Sequence, residues 1–247
     1  RSARGAFIQS PQRSTFVGEQ TDHLALLRLD SHLSSTHTLD LRVNGNTSRN
    51  TNANDAVSAF TQPSAARLSV LQSVASQLTD RKSWGAKLNE LRFSYVNVVP
   101  SASSPLNGPA VTVVRPNYAT VGTSSYSYVR TKSFQLADQF AWQTGKHEMR
   151  FGGDILRQDV RDDAFSLFGT YTFAPGAPRV GEAPVQFQQT LGQALLNYGQ
   201  TAVSAYAQDN WRIHPRLTLN LGLRYENQTL TDERNNFAPR LGFAWDA

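Results

Sequence analysis

The chain has 247 residues, of which 39% are hydrophobic, and a mean hydropathy of −0.43, with no apolar run of about 18 residues; no helix of it can cross a membrane, and any crossing must be made by strands. The absence of cysteine excludes disulfide frameworks and thiolate metal sites. A net charge of +5 comes from basic residues scattered singly among acids, with no basic tail or tract, which argues against nucleic acid as a partner.

Side chains of a strand point alternately to its two faces, so apolar and polar residues alternating with a period of two mark a half-apolar strand. Such segments recur along the chain. The first two, Asp22 to Asp30 and His37 to Arg49, flank the short gap SHLSST. A long polar gap, Asn50 to Arg67, precedes Leu68 to Leu78 and Trp84 to Val98, which flank TDRK. A second long gap, Pro100 to Ser125, precedes Tyr126 to Gln143 and His147 to Arg161, which flank TGK. The short segment Gly169 to Phe173 leads into a third long gap, Ala174 to Gln200. Thr201 to Ile213 and Arg216 to Gln228 then flank HPR, and Thr229 to Asn236 leads into Phe237 to Trp245.

Most of these segments reach the 9–11 residues or so that a tilted strand needs to cross a bilayer. Tight turns at one end and long loops at the other are the asymmetry of outer-membrane barrels. Direction imposes one condition. Gly169 to Phe173 and Thr201 to Ile213 would both run away from the long loops, so either an opposite-going strand lies in between, in PVQFQQTLG, or that segment leaves the sheet as the helix-like TLGQALLNYG. With strands of one type on both sides, Asn50 to Arg67 reads as a surface loop rather than a linker, and the chain as one segment, 1–247.

One motif repeats. In LTLNLGLRYE, leucines alternate with a polar face that carries Arg224 and Glu226. The same spacing of two recurs with Arg28 and Asp30, Asp40 and Arg42, Glu90 and Arg92, and Glu148 and Arg150. An arginine at the bilayer midplane costs about 2–4 kcal/mol, so five would cost about 10–20, comparable with the whole stability of a domain. The charged face is therefore expected to line a wet lumen, and the leucine face to meet lipid. A solvated face of a soluble sheet would account for the same pairs, each worth only tenths of a kcal/mol; strand length, loop asymmetry and the number of large apolar residues favour the barrel.

Aromatic residues fall at the two expected boundaries. Trp84, Trp142, Trp211 and Trp245 lie towards the short turns, and Tyr95, Tyr126, Tyr128 and Tyr225 towards the long loops, as in the paired aromatic belts of membrane barrels. Asp138 and Asp209 share the parity of the outward residues, which calls for a bulge or for interface depth. The apolar phase slips between Leu88 and Leu91, which predicts a bulge near Asn89.

No catalytic constellation is present: there is no nucleophile elbow, phosphate loop or HExxH. His23, His32, His37, His147 and His214 have no clustered ligand partners in the sequence, and His32 and His37 read as exposed turn residues. Gly152-Gly153 reads as a kink or a point of close packing. The sequons at Asn46 and Asn227 are matches of pattern alone. The chain is expected to be no enzyme and to hold no metal or cofactor.

The stretch SAYAQDNWRIHPRLTLNLGLRYENQ, followed by NNFAPRLGFAWD, resembles a hairpin and the next strand of TonB-dependent outer-membrane receptors. SFQLADQFAWQTGKHEMRFGGDILRQDV, with GTYTF and NELRFSYV, is similar to their Oar-type subgroup, whose members carry an N-terminal carboxypeptidase-regulatory-like domain. The resemblance covers most of Ser83 to Ala247 and extends to HLALLRLDSHLSSTHTLDLRV. It implies a 22-stranded barrel with an N-terminal plug and a TonB box. This sequence shows about ten or eleven strands, no plug, no TonB box and no signal peptide. It is therefore expected to be an all-β, incomplete section of an antiparallel transmembrane β-barrel in a bacterial outer membrane, in contact with lipid and lipopolysaccharide. By resemblance, the parent protein takes up an unidentified ligand with the help of TonB. Arg42, Arg92 and Arg224 are candidates for an anionic ligand or for plug residues, with pairing among lumenal side chains as the plainer role. A complete small pore or adhesin and a soluble β-sandwich binding module are the alternatives.

Overall fold

In the computed structural model, residues 18–51, 61–103, 111–122, 125–166, 169–192 and 195–246 are described. Nine long strands form one sheet, wholly antiparallel and meandering in chain order: β1 (Gln20–Ser34), β2 (His37–Asn50), β3 (Leu68–Trp84), β4 (Lys87–Ser103), β7 (Ser125–Thr144), β8 (His147–Ser166), β11 (Leu195–His214), β12 (Leu217–Gln228) and β13 (Phe237–Trp245). Four short strands, β5 (Thr112–Arg115), β6 (Ala119–Val121), β9 (Thr170–Thr172) and β10 (Gln186–Gln188), make a second small sheet. The large sheet is open, since its first and last strands, β1 and β13, do not pair with each other.

The strands are longer than the alternation alone suggested. β7, β8 and β11 have 20 residues each. At about 3.3 Å per residue and a tilt near 40°, 20 residues rise roughly 50 Å, twice the ~25 Å apolar band of a membrane barrel. The short connections shrink accordingly to two residues: Ser35-Thr36, Gly85-Ala86, Gly145-Lys146 and Pro215-Arg216. TDRK is not a turn. It lies within β3, and the reversal comes at Gly85, whose φ of 59° is open to glycine at little cost. Trp84 accordingly ends β3.

Gly169 to Phe173 is not a strand of the wall. Thr170–Thr172 leaves it to pair with β10 and, in parallel, with β5 of the small sheet. β8 is then followed directly by β11 as its neighbour, and the directions alternate without a hidden strand. The predicted bulge near Asn89 is absent: pairing runs unbroken through Asn89 to β3 and to β7. Leu88 simply points to the polar face, and Asn89 to the apolar one.

Register settles the faces. Leu29, Leu41, Leu78, Phe93, Leu136, Ile155, Val203 and Tyr225 lie on one side, placed there strand by strand through direct pairs or steps of two. Among the described residues, no second layer covers that side. Leu136, Ile155 and Leu223 are 48%, 53% and 48% exposed, and the buried apolar residues among those described, Ala65, Ala66 and Phe173, all lie outside the large sheet. A soluble sandwich would bury this face against a second sheet, and the described residues supply none. Gly152 and Gly153 are a point of close approach: a Cβ on Gly152 would come within 2.6 Å of the Tyr206 ring and 2.8 Å of the Asp138 carbonyl oxygen, and one on Gly153 within 2.7 Å of the Ser204 carbonyl oxygen.

Candidate functional site

The polar face carries all five arginine–acid motifs. Register places Arg28 opposite Arg42 and Asp30 opposite Asp40. It then carries the same face across β3 to Glu90 and Arg92, across β7 to Glu148 and Arg150, and across β11 to Arg224 and Glu226. Four motifs close within their own strand. Arg28 donates to Asp30 at 2.9 Å and Arg150 to Glu148 at 2.8 Å, Arg92 forms an ion pair with Glu90 at 3.2 Å, and Arg224 pairs with Glu226.

The fifth does not. Asp40 is held by Arg81 at 2.7 Å rather than by Arg42, and Arg81 also donates to Glu90 at 2.6 Å, so one guanidinium ties β2, β3 and β4 together. Sequence reasoning missed Arg81 because TDRK read as a turn; its parity with Thr79 and Gln77 was the available signal. Arg42 donates instead to the neutral Asn44 at 3.4 Å. Of the three candidate ligand arginines, it is the one not paired with a carboxylate.

Arg150 and Arg224 meet a further arginine, Arg240 on β13, around a concavity of about 310 Å³ whose walls include Gln139, Tyr206 and Gln208. Arg240 stands opposite Gly222, and Tyr206 opposite Arg224, so five strands contribute, β7, β8, β11, β12 and β13. The side chains are half-exposed donors facing open space. Pairs in such surroundings are worth about 0–1 kcal/mol each, and the arrangement suits anion binding rather than proton transfer.

The apolar face has three internal acids, each with a partner on its own face. His37 lies 2.7 Å from Asp80, Asn89 donates to Asp138 at 2.7 Å, and His147 lies 2.6 Å from Asp209 and stacks on Trp211. The parity misfits at Asp138 and Asp209 therefore reflect polar pairs, not bulges. His37 is correspondingly a strand residue with a partner rather than an exposed turn residue.

Trp84, Trp142, Trp211 and Trp245 all fall on the apolar face near the two-residue turns, with Lys87 5.2 Å from the Trp142 ring. Tyr95 packs on Phe134 at 4.9 Å and Tyr225 on Phe237 at 4.8 Å, towards the other edge of the apolar zone. Tyr126 and Tyr128 share the face but lie further out, beyond Arg130 and Lys132.

At the long-loop end three gaps fold together. Arg115 of β5 is 4% exposed and donates to Glu182 at 2.6 and 3.2 Å and to the Ala174 carbonyl at 2.7 Å, beside the Phe173 ring. That guanidinium holds the Glu182 carboxyl below the usual carboxylate range. Thr120 accepts from the Gln62 amide at 2.8 Å, which joins a third gap to this small sheet. The available signal was VVRPNYATV, where Pro116 and Asn117 turn between two β-branched runs; Asn117 has a φ of 59°.

A family model described as an outer membrane beta barrel domain matches residues 6–236. No curated protein matches the sequence. Among solved structures, the chain is similar to the outer-membrane transporter YddB from Escherichia coli, with a TM-score of 0.67 and 15% identity over 93% of this chain and 30% of that one. A mutant of the ferric enterobactin receptor PfeA from Pseudomonas aeruginosa gives 0.59 and 14% over 92% and 31%. The ferric preacinetobactin receptor BauA from Acinetobacter baumannii gives 0.50 and 9% over 92% and 36%. The chain thus spans about a third of the length of these proteins.

Proposed function

The chain belongs to the outer-membrane β-barrel domain family, and on that premise we propose that it forms part of the wall of a TonB-dependent receptor that takes up a ligand into the periplasm. Its place is the bacterial outer membrane. One observation supports this reading above the others: pairing across nine strands keeps the five arginine–acid motifs read from the sequence on one face, and Leu29, Leu41, Leu78, Phe93, Leu136, Ile155 and Leu223 on the other. In this reading the charged face lines the lumen, the apolar face meets acyl chains, and the small sheet stands on the extracellular side.

Within the lumen, Arg92, Arg150 and Arg224 serve in wall pairs, while Arg42 and, beside that concavity, Arg240 offer donors to an anionic ligand or to acids of a plug. Likeness in fold to a ferric enterobactin receptor and a ferric preacinetobactin receptor supports uptake as the class of activity. The Oar-type assignment rests on SFQLADQFAWQTGKHEMRFGGD and its neighbours.

Since this chain has no cysteine of its own, single cysteines placed in it report on the faces once any elsewhere in the protein are replaced by serine. In the complete protein in whole cells, Gln208→Cys should react with a water-soluble maleimide and Leu223→Cys should not. Uptake should stop when TonB is removed. Equal labelling at both positions would sink the wall orientation, and TonB-independent uptake would sink the receptor reading.

A further inference from the structure

On the apolar face, three neighbouring strands change character at one level. Along β7 the outward residues run Trp142, Phe140, Asp138, Leu136, Phe134 and then switch to Lys132 and Arg130. Along β8 they run Met149, Phe151, Gly153, Ile155 and then Arg157, Asp159, Arg161. Along β11, Val203 gives way to Thr201, Gly199 and Asn197. Register aligns the switches: Phe134 pairs with Arg157 and Arg157 with Thr201; Lys132 with Asp159 and Asp159 with Gly199; Arg130 with Arg161 and Arg161 with Asn197. From Trp142 to Phe134 the strand rises roughly 20 Å along the barrel axis, close to the height of the apolar band, so the charges begin at the depth of lipid headgroups.

The charges there are not balanced. Arg157 is engaged by Asp159 at 2.5 Å, and Arg161 faces Asp163 at 3.6 Å. Arg130 donates to the neutral Asn97 at 3.1 Å, and neither it nor Lys132 is paired with a carboxylate. Both line a shallow concavity of about 440 Å³ with Asp159, Arg161, Asn197 and Gly199. Gly199 lets the Arg157–Asp159 pair lie against the backbone at its edge; a Cβ there would collide with the Arg157 guanidinium and lie 2.8 Å from the Asp159 carboxylate. Cations set in a hollow directly above an acyl-facing belt suit a phosphate held at headgroup height.

We propose that this hollow binds the phosphorylated headgroup of an outer-leaflet glycolipid, with Arg130, Lys132 and Arg161 as the phosphate donors. The inference rests on the orientation given above, in which the apolar face meets lipid. The test uses the complete protein in vesicles containing bisphosphorylated or dephosphorylated lipid A, and measures the lipid retained after extraction with mild detergent. The phosphorylated form should be retained preferentially, and Arg130→Gln with Lys132→Gln should lower that retention about tenfold or more, the scale of one or two charge-assisted hydrogen bonds. Arg130→Lys with Lys132→Arg should restore it, which separates lost charge from lost folding.

Equal retention of both lipids, or displacement by millimolar inorganic phosphate alone, would overturn the proposal. Acyl chains brominated close to the headgroups provide the separate control, because Trp84, Trp142, Trp211 and Trp245 lie on the apolar face beside the two-residue turns. Quenching without phosphate preference sinks the headgroup site alone. Absence of quenching sinks the orientation beneath it.

Discussion

Leu78 and Gln77 are adjacent on β3 and face opposite ways. Leu78 stands between Leu41 and Phe93, while Gln77 stands between Arg42 and Ser94. Replacing each in turn by arginine puts the same charge on the two faces at nearly the same depth. On the lipid side, well inside the band, the cost is about 2–4 kcal/mol. On the lumenal side the new guanidinium is hydrated and opposes Arg42, a repulsion of roughly 0.2–1 kcal/mol. The gap of about 1–4 kcal/mol corresponds to a factor of roughly 5 to 1,000 in the folding equilibrium. Urea unfolding of the complete protein in phospholipid vesicles, followed by tryptophan fluorescence, measures it. Equal costs, or a greater cost for Gln77→Arg, would refute the assignment of faces.

Four further outcomes follow from the contacts described above. Gly152→Ala would press a methyl group against the Tyr206 ring and the Asp138 backbone, and since the backbone cannot step aside, a loss of about 1–3 kcal/mol is expected in the same titration. Asn89→Leu leaves the Asp138 carboxylate without its donor on the apolar face, so it should be more damaging than the double variant with Asp138→Leu, and a double-mutant cycle reads the coupling directly. Arg115→Met should open the small sheet to limited proteolysis without disturbing the wall. Because the carboxyl of Glu182 is shifted down, its contribution is intact at neutral pH and fades as pH falls through its lowered folded value, and Glu182→Gln should abolish that acid sensitivity in hydrogen exchange.

The wall was legible because each of its long strands offers repeated tests of one binary rule. Leu217 to Tyr225 alone gives five outward positions, and register then had to agree with them. Some strand ends were less legible: Tyr126 to Gln143 falls short of β7 by one residue at each end, but β8 runs on from Arg161 to Ser166 and β11 starts at Leu195 rather than Thr201, where polar residues on both faces remove the contrast of alternation. TDRK misled because charged residues on both faces mimic a turn, although Asp80 answers His37 and Arg81 answers Asp40 and Glu90. The partners of Asp138 and Asp209 were out of reach for a different reason. Asn89 and His147 are distant in sequence, and only pairing brings them alongside. The small sheet eluded reading because its strands are three or four residues long and one of its pairings is parallel.

The surplus length of β7 and β8 carries a consequence for what outside agents encounter. In the orientation proposed above, the hairpin continues from Lys132 back to Ser125 for roughly 20 Å past the acyl zone, which would hold the folded cap on a stiff stalk at the height of the sugars rather than on the bilayer. An antibody or phage adhesin too bulky to enter the sugar layer would still reach hydrogen-bonded sheet, and an epitope there would keep its shape when the surrounding lipid is exchanged.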